Sequence, residues 1–234
     1  MRQYDPRTIA FVSELIHFPM QHSVADLRKV YSRLGEINAN WYINFNADPA
    51  QGSGQLVTMR PGTPQAQVSA VTLMPDRIQV QEEMTDLTLE DFLERLGAVA
   101  ETCAAELGVQ QFNVQQCIVR SVVTPRTTPD SRLFLGERLC GLGGEQLQVM
   151  GRPVGMLGLR FMFPATETDN SVYNVRIESY NFDVRSVFLE VAAVYPTTIT
   201  RDRHALLSEN FHLAYGFMQN NLCGFVAGFD TDGA

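Results

Sequence analysis

The clearest pattern in the chain is a helical repeat of apolar residues between positions 88 and 108. The apolar residues recur every three or four positions, which is the spacing of one helix face. Thr88 with Asp91 three residues later has the spacing of an N-terminal cap, and Gly108 is a typical helix stop. A helix over residues 88–107 is therefore predicted to pack on the main sheet through Phe92, Leu96, Val99 and Cys103.

Two other segments have helical spacing, and a third carries a helix start. Ser23 caps the first predicted helix, which ends at Gly35. Thr128-Pro129-Asp130 resembles a helix start with Pro129 at the first position, and predicts a short helix through Leu133, Phe134 and Leu139. The last helix is predicted from about Thr200 to Leu222, and the Gly- and Asp-rich tail of residues 224–234 is expected to lie beyond its end. Its predicted buried stripe is Leu207, Phe211, Ala214, Met218 and Leu222.

Most of the remaining chain alternates apolar with polar residues, as strands do. In the strand predicted at 111–123, Phe112, Val114 and Ile118 are expected to share one face. Residues 47–65 are rich in Pro and Gly and predict a loop, with room for one brief strand at 55–60. The other predicted strands cover residues 7–18, 41–45, 66–74, 77–83, 154–163, 172–180 and 187–195.

The order of these elements predicts an α+β fold. Strands follow one another between helices, which favours a predominantly antiparallel sheet of long strands with amphipathic helices packed on one face. The chain divides into two loosely similar strands-plus-helix halves, residues 1–126 and 127–234. We expect the two halves to form one compact unit, because 234 residues suffice for a single large domain.

Composition excludes several classes of partner. The formal net charge is −8, Lys29 is the only lysine among eighteen basic residues, and no basic run occurs. We therefore expect no binding to nucleic acid or to a membrane surface. The four cysteines form no C-x-x-C pair, and no signal peptide or bilayer-spanning apolar segment is present, so the expected location is a reducing cytoplasm.

Several segments together resemble a known family. These are the opening strand RTIAFVSELIHFP, the block LMPDRIQVQEEMTDLTLEDFLERLGAV, the strands NVQQCIVRSVVTP and SVFLEVAAVYP, and the closing helix HALLSENFHLAYGFM. Their order is similar to that of a sporadically distributed family of uncharacterised prokaryotic proteins of similar length. The resemblance covers most of the chain and implies an α+β fold and a bacterial protein. It implies no established activity and no site residues.

The sequence contains no complete catalytic or cofactor-binding signature. Gly141-Leu142-Gly143-Gly144 follows a predicted helix instead of a strand, so it does not fit a dinucleotide loop. His204 and His212 lie about two helical turns apart, too far to share one ion on their own. The acidic cluster is interpreted mainly as a solvated helix start, and no metal or cofactor is expected; the cluster comprises Glu82, Glu83, Asp86, Glu90, Asp91 and Glu94.

One polar surface is a candidate ligand site. Period two places Asn174, Arg176 and Glu178 on one face of their strand, and Arg160 on the less apolar face of the preceding strand. If these faces coincide, Arg160, Arg176 and Glu178 line one side of a sheet. Two interpretations stay open, a wet sheet face and a charged groove for an acidic ligand or peptide.

The functional expectation is a non-enzymatic cytoplasmic binding or assembly module. The alternative is an enzyme with a dispersed, arginine-containing site that acts on a small acidic or phosphorylated substrate. The expected partner is a second copy of the chain in a homodimer, with a protein or a small acidic ligand as a further possibility. The dimer is predicted because strand 7–18 is apolar on both faces and few helices are available to cover about seven strands.

Overall fold

The computed structural model describes residues 4–231. Nine strands form one antiparallel sheet in the order β2-β3-β4-β5-β1-β7-β10-β9-β8, and β6 (Gln111–Phe112) pairs separately with β11 (Ile199–Thr200). The predicted α+β class with an antiparallel sheet is confirmed. The strands of the large sheet are β1 (Arg7–Ile16), β2 (Asn44–Asp48), β3 (Ser53–Arg60), β4 (Gln67–Leu73), β5 (Arg77–Glu83), β7 (Val114–Val123), β8 (Gly158–Phe163), β9 (Val172–Ser179) and β10 (Val187–Tyr195).

Helices cover one face of this sheet. Helix α1 (Val24–Ile37) lies against β2 and β3, α2 (Leu89–Glu106) against β1 and β5, and α5 (Ala205–Gly216) against β7 and β10. The main hydrophobic core lies between these helices and the sheet. None of the helices within residues 4–231 is long and apolar enough to cross a membrane.

Helix α2 forms as its pattern predicts. The Thr88 hydroxyl accepts a hydrogen bond from the Asp91 amide, and the Asp91 carboxylate accepts one from the Thr88 amide, which completes a capping box. Phe92, Leu96, Val99 and Cys103 are all buried, so the predicted packing face is confirmed. The Phe92 ring lies 5.3 Å from Phe11 of β1 and 4.8 Å from Phe211 of α5, measured between ring centroids.

Two helices extend past their predicted ends. Helix α1 continues through Gly35 to Ile37, so Gly35 is not its stop. The last helix continues from α5 through a π-helical turn (Phe217–Leu222) into α6 (Cys223–Phe229). The expectation that residues 224–234 lie beyond the helix is therefore wrong for residues 224–229. The last three residues of this tail lie outside the described part of the chain. The predicted buried stripe of α5 and the turn is confirmed.

The strands of the first half also differ from expectation. Strand β2 begins at Asn44, later than the predicted strand 41–45, and Trp41 and Tyr42 pack into the core instead. The segment 47–65 contains a full eight-residue strand, β3. Strand β1 lies in the middle of the sheet between β5 and β7, so both of its edges are paired within the chain and neither is free to pair with another chain.

The strand predicted at 111–123 is interrupted at Asn113, and its buried face was assigned wrongly. The helix-facing residues of β7 include Gln115, Cys117 and Ser121, whereas Val114 and Ile118 point to the opposite face. Gln115 is accommodated because its amide accepts a hydrogen bond from Asn210 at 2.9 Å and donates one to the Leu207 carbonyl at 3.1 Å.

The two halves of the chain join within the sheet. Within the first half, β5 pairs with β1 and β1 pairs with β7. Strand β10 of the second half pairs with β7 of the first, so the sheet is continuous across residue 126. The link from β7 to β8 contains α3 (Ser131–Leu133), a π-helical turn (Phe134–Leu139) and α4 (Gly144–Gln148).

Candidate functional site

The face of the sheet opposite the helices is called the open face here. Successive strand residues point to opposite faces, so the strand pairing identifies its members. Its centre carries small apolar and amide side chains, and most of its charged residues lie to one side. On strands β5, β1, β7, β10, β9 and β8, the open-face residues include Gln79, Gln81, Ala10, Val12, Gln116, Ile118, Ala192, Asn174, Arg160 and Met162.

A row of alternating charges crosses the open face. The register places Glu83, Ala10, Arg120, Glu190, Arg176 and Arg160 side by side on neighbouring strands. Arg120 donates to Glu190 at 2.7 Å and lies 4.0 Å from Glu83 across the small side chain of Ala10. Arg176 reaches Glu190 at 3.2 Å. This row, together with Glu178, is called the charge ladder below.

The three residues proposed from the sequence do lie on one side of the sheet. Arg176 donates to Glu178 through Nη2 at 2.7 Å and through Nε at 3.1 Å, a two-point contact. Arg160 Nη2 lies 3.8 Å from Glu178 Oε1, the oxygen that accepts from Arg176 Nε, and the Arg160 side chain is 74% exposed. Arg160 and Arg176 are therefore linked through Glu178.

Sequence reasoning missed three members of the ladder, Glu83, Arg120 and Glu190. Arg120 and Glu190 belong to strands separated by 70 positions, and only the register of the folded sheet brings them together. One signal was present: Arg120 and Glu190 are each the single charged residue of a strand. Glu83 was assigned instead to the acidic cluster before α2.

Aromatic side chains form a wall at one end of the ladder. A pocket of about 230 Å³ lies there, lined by ladder residues together with Met156, Tyr180, Phe182 and Phe188. The Arg176 guanidinium lies 5.7 Å from the centroid of the Phe188 ring, within cation–π range. Burial raises the pKa of Tyr180, which lines the pocket, so its hydroxyl stays protonated.

The electrostatics of the ladder favour recognition over acid–base chemistry. The hydrogen bond to Glu178, with the nearby Glu190 charge, raises the pKa of Arg176, so this guanidinium stays charged. Arg120 and Arg176 already have carboxylate partners. The ladder as a whole contains as many carboxylates as guanidiniums, which leaves little net field to attract an anion.

One member of the acidic cluster is buried instead of solvated. Glu82 lies on the helix side of the sheet, where it accepts from Arg95 of α2 at 2.6 Å and from Ser69 at 2.7 Å. Burial raises the pKa of Glu82, although Ser69 and Arg95 act in the opposite direction. Because the helix layer covers this pair, it stabilises the packing of α2 and offers no ligand site. The interpretation as a solvated helix start is wrong for Glu82.

Histidines do not assemble a metal centre in the described part of the chain. His212 is exposed on α5, and His204 immediately precedes that helix. His17 and His22 are buried with ring centroids 6.2 Å apart. Within residues 4–231, no three His, Cys, Asp or Glu residues come close enough together to hold an ion.

Comparison with models of protein families and with curated proteins finds no match for this chain.

Proposed function

We propose that this protein is a non-enzymatic binding or assembly module that recognises a protein partner through its open face. The observation that carries the proposal is the asymmetry of the sheet. Helices cover one face, while the other presents a broad surface of amide and small apolar side chains beside the charge ladder. Protein interfaces combine such apolar contact with satisfied polar groups.

The chemistry of the open face suits a protein better than a phosphate-rich ligand. A nucleic acid or phosphorylated substrate requires guanidinium or ammonium groups that are free to pair with phosphate. Arg120 and Arg176 are instead held by Glu190 and Glu178. Gln79, Gln81 and Gln116 add side-chain amides, which can both donate and accept hydrogen bonds with a partner.

The alternative, an enzyme with an arginine-containing site for an acidic substrate, receives less support. Of the three ladder arginines only Arg160 is mostly exposed, and no carboxylate of the ladder stands apart from a guanidinium as a general base would. We also propose a cytoplasmic location, because the cysteines are free and three of them are buried, which suits a reducing compartment.

The test is affinity purification of the tagged protein from its native host. Gln116→Arg introduces bulk and charge at the centre of the open face, where Glu14 on the neighbouring strand can accommodate the guanidinium. We expect a stoichiometric protein partner whose recovery falls at least about tenfold in this variant, since the longer side chain clashes with a partner that packs against the shorter amide.

The matched control is Gln148→Arg, the same substitution at an exposed position of α4. Recovery of the partner should be unchanged in the control. Equal recovery with Gln116→Arg and wild type would contradict the proposal. Native mass spectrometry of the purified protein tests the alternative, because a retained small anion in place of a protein would favour the enzyme.

A further inference from the structure

The two outer edges of the large sheet differ in chemistry. Strand β2 forms one edge and has the polar sequence NFNAD, with Asp48 at its end. Strand β8 forms the other and has the sequence GLRFMF, in which Arg160 is the only charge. Soluble proteins usually guard free edges with charge or proline, because an unguarded edge pairs with another strand. Each edge strand carries one charge, but the other residues of β8 are glycine and large apolar side chains, so β8 is the less protected edge.

The apolar side chains of β8 are exposed, and they border a groove. On the helix side, Phe161 and Phe163 lie beside Phe217 and Phe225, which come from the π-helical turn and α6. The Phe161 and Phe225 ring centroids are 5.9 Å apart, and those of Phe163 and Phe217 are 5.7 Å apart. The groove has a volume of about 410 Å³ and is almost entirely apolar. On the open face, Met162 is 67% exposed.

The backbone of β8 is also available for pairing. The Ser179 amide donates to the Leu157 carbonyl at 2.9 Å, so Leu157 directs its backbone groups toward β9. Backbone directions alternate along an antiparallel strand, and the β8–β9 register shows no irregularity. Gly158, Arg160 and Met162 therefore direct their N–H and C=O groups outward, and no other strand of residues 4–231 pairs with them.

We propose that the β8 edge binds a second copy of this chain, with the two β8 strands antiparallel across a twofold axis at Phe161. Two conditions disfavour the neighbouring registers on either side. Pairing Arg160 with Arg160 of the other copy would oppose like charges, which destabilises a cross-strand pair. Moving the axis to Met162 would place Arg160 opposite Pro164, which has no N–H to donate, whereas the axis at Phe161 places only the end residue Gly158 opposite Pro164.

In the register centred on Phe161, each Arg160 lies opposite Met162 of the other copy. The two residues of each such pair face one another through their outward backbone groups, and the two pairs together supply about four hydrogen bonds. Phe161 lies opposite Phe161 of the other copy, and Leu159 opposite Phe163, all on the helix side. The two aromatic grooves then merge, and Phe225, the two Phe161 rings and the second Phe225 form one row of edge-to-face contacts.

A second copy suits this edge better than an unrelated peptide, because the strand is complementary to itself. A twofold axis at Phe161 satisfies the hydrogen bonds and apolar contacts of both chains at once, as closed twofold interfaces do. The helix layers of both copies lie on the same side of a single extended sheet. This surface is separate from the centre of the open face, so the inference does not rest on the proposed function.

Two exposed methionines provide a matched experiment. Met162 on β8 and Met59 on β3 are 67% and 64% exposed, and both point to the open face. A concentration of about 50 µM is in the range where modest interfaces associate. Light scattering of the wild-type chain at this concentration should give twice the 26.2 kDa mass of one chain. Met162→Lys places an ammonium opposite Arg160 of the other copy, twice by symmetry, and should yield a monomer.

Met59→Lys adds the same charge far from β8 and should leave the dimer intact. Adding Arg160→Glu to Met162→Lys puts a carboxylate opposite the new ammonium, so the dimer should return if the register is correct. A wild-type monomer at this concentration, or a dimer that survives Met162→Lys, overturns the proposal. Failure of the double variant to recover the dimer, with its far-UV circular dichroism unchanged, overturns the register.

Discussion

Three of the four cysteines are small core residues whose reactivity is suppressed by burial. Burial raises the pKa of Cys223 to about 12 and the pKa values of Cys103 and Cys117 well above that of a free thiol. The thiolate is the reactive form, so these side chains are protected both by exclusion of reagent and by protonation. Cys140 follows the π-helical turn of residues 134–139 and is partly exposed, so reagents can reach its thiol.

We therefore predict one fast-reacting thiol in the native protein. Titration with a chromogenic disulfide near neutral pH should modify Cys140 quickly and the other three only after addition of guanidinium chloride. The Cys140→Ser variant is the control and should show no fast phase. A fast-reacting thiol in that variant would mean that the core around the remaining cysteines opens readily.

Asp230 connects the C-terminal helix to two distant segments. Its carboxylate accepts hydrogen bonds from the amides of Arg126 and Thr127, the Thr127 hydroxyl and the Tyr4 hydroxyl. Burial alone would raise the pKa of Asp230, but these hydrogen bonds to the charged form outweigh it and lower the pKa. A carboxylate with a depressed folded-state pKa stabilises the protein above its unfolded-state pKa, and that contribution is lost as the pH falls through the folded-state value.

Asp230→Asn should remove this contribution. At neutral pH we expect a loss of about 2–3 kcal/mol in the free energy of unfolding, since hydrogen bonds to a charged group are replaced by weaker or mismatched ones. The variant should also lose less stability than wild type between neutral pH and acid. Urea titrations at several pH values measure both effects. Asp202→Asn, at an exposed turn, is the control, and an equal response in both variants would contradict the role of Asp230.

At the scale of secondary structure, local signals predicted an element well where they agreed with one another. Helix α2 has its cap, its apolar repeat and its end where the sequence places them. Glycine misled the prediction elsewhere, because Gly35 and Gly224 lie inside helices. A glycine costs only about 1 kcal/mol relative to alanine in a helix interior, and the burial of Leu34 or of Val226 next to them outweighs that cost.

Polar residues explain the misassigned face of β7 and the incomplete site. Gln115 is buried with Asn210 as its partner, but in the sequence it resembles a solvent-facing residue. The common face of Arg160, Arg176 and Glu178 could be predicted because β8 and β9 are adjacent in the chain. Their connection through Glu190 to Arg120 could not, because it depends on the register of strands that are distant in sequence.

Replacing Phe92 tests how much the packing of α2 contributes to the free energy of unfolding. Its ring is fully buried between β1 and α5, so Phe92→Ala should cost about 3–5 kcal/mol through lost transfer energy and the cavity left behind. The exposed neighbour Glu94→Ala serves as the control. Denaturant unfolding should shift to a lower midpoint for Phe92→Ala only. Similar midpoints for the two variants would show that the cavity collapses or that the assigned packing is incorrect.

At the scale of the whole molecule, the two halves share both a sheet and a core. Strands β7 and β10 pair along their length, and the charge ladder crosses this joint from Arg120 to Glu190, with 2.7 Å between the two side chains. On the helix side, Phe92 of the first half contacts Phe211 of the second at 4.8 Å. Separating the halves would therefore expose the central strands and the middle of the core together, which favours cooperative unfolding.

We accordingly predict that the halves unfold as one unit, and two natural probes can test this. Trp41 is the only tryptophan and lies in the core of the first half, while Cys223 is buried in the second. Across a urea titration at low protein concentration, the midpoint from Trp41 fluorescence should coincide with the midpoint from pulse labelling of the Cys223 thiol, read by mass spectrometry. Coincidence of different probes is the mark of a two-state transition, whereas two separated midpoints would assign independent stability to residues 1–126 and 127–234.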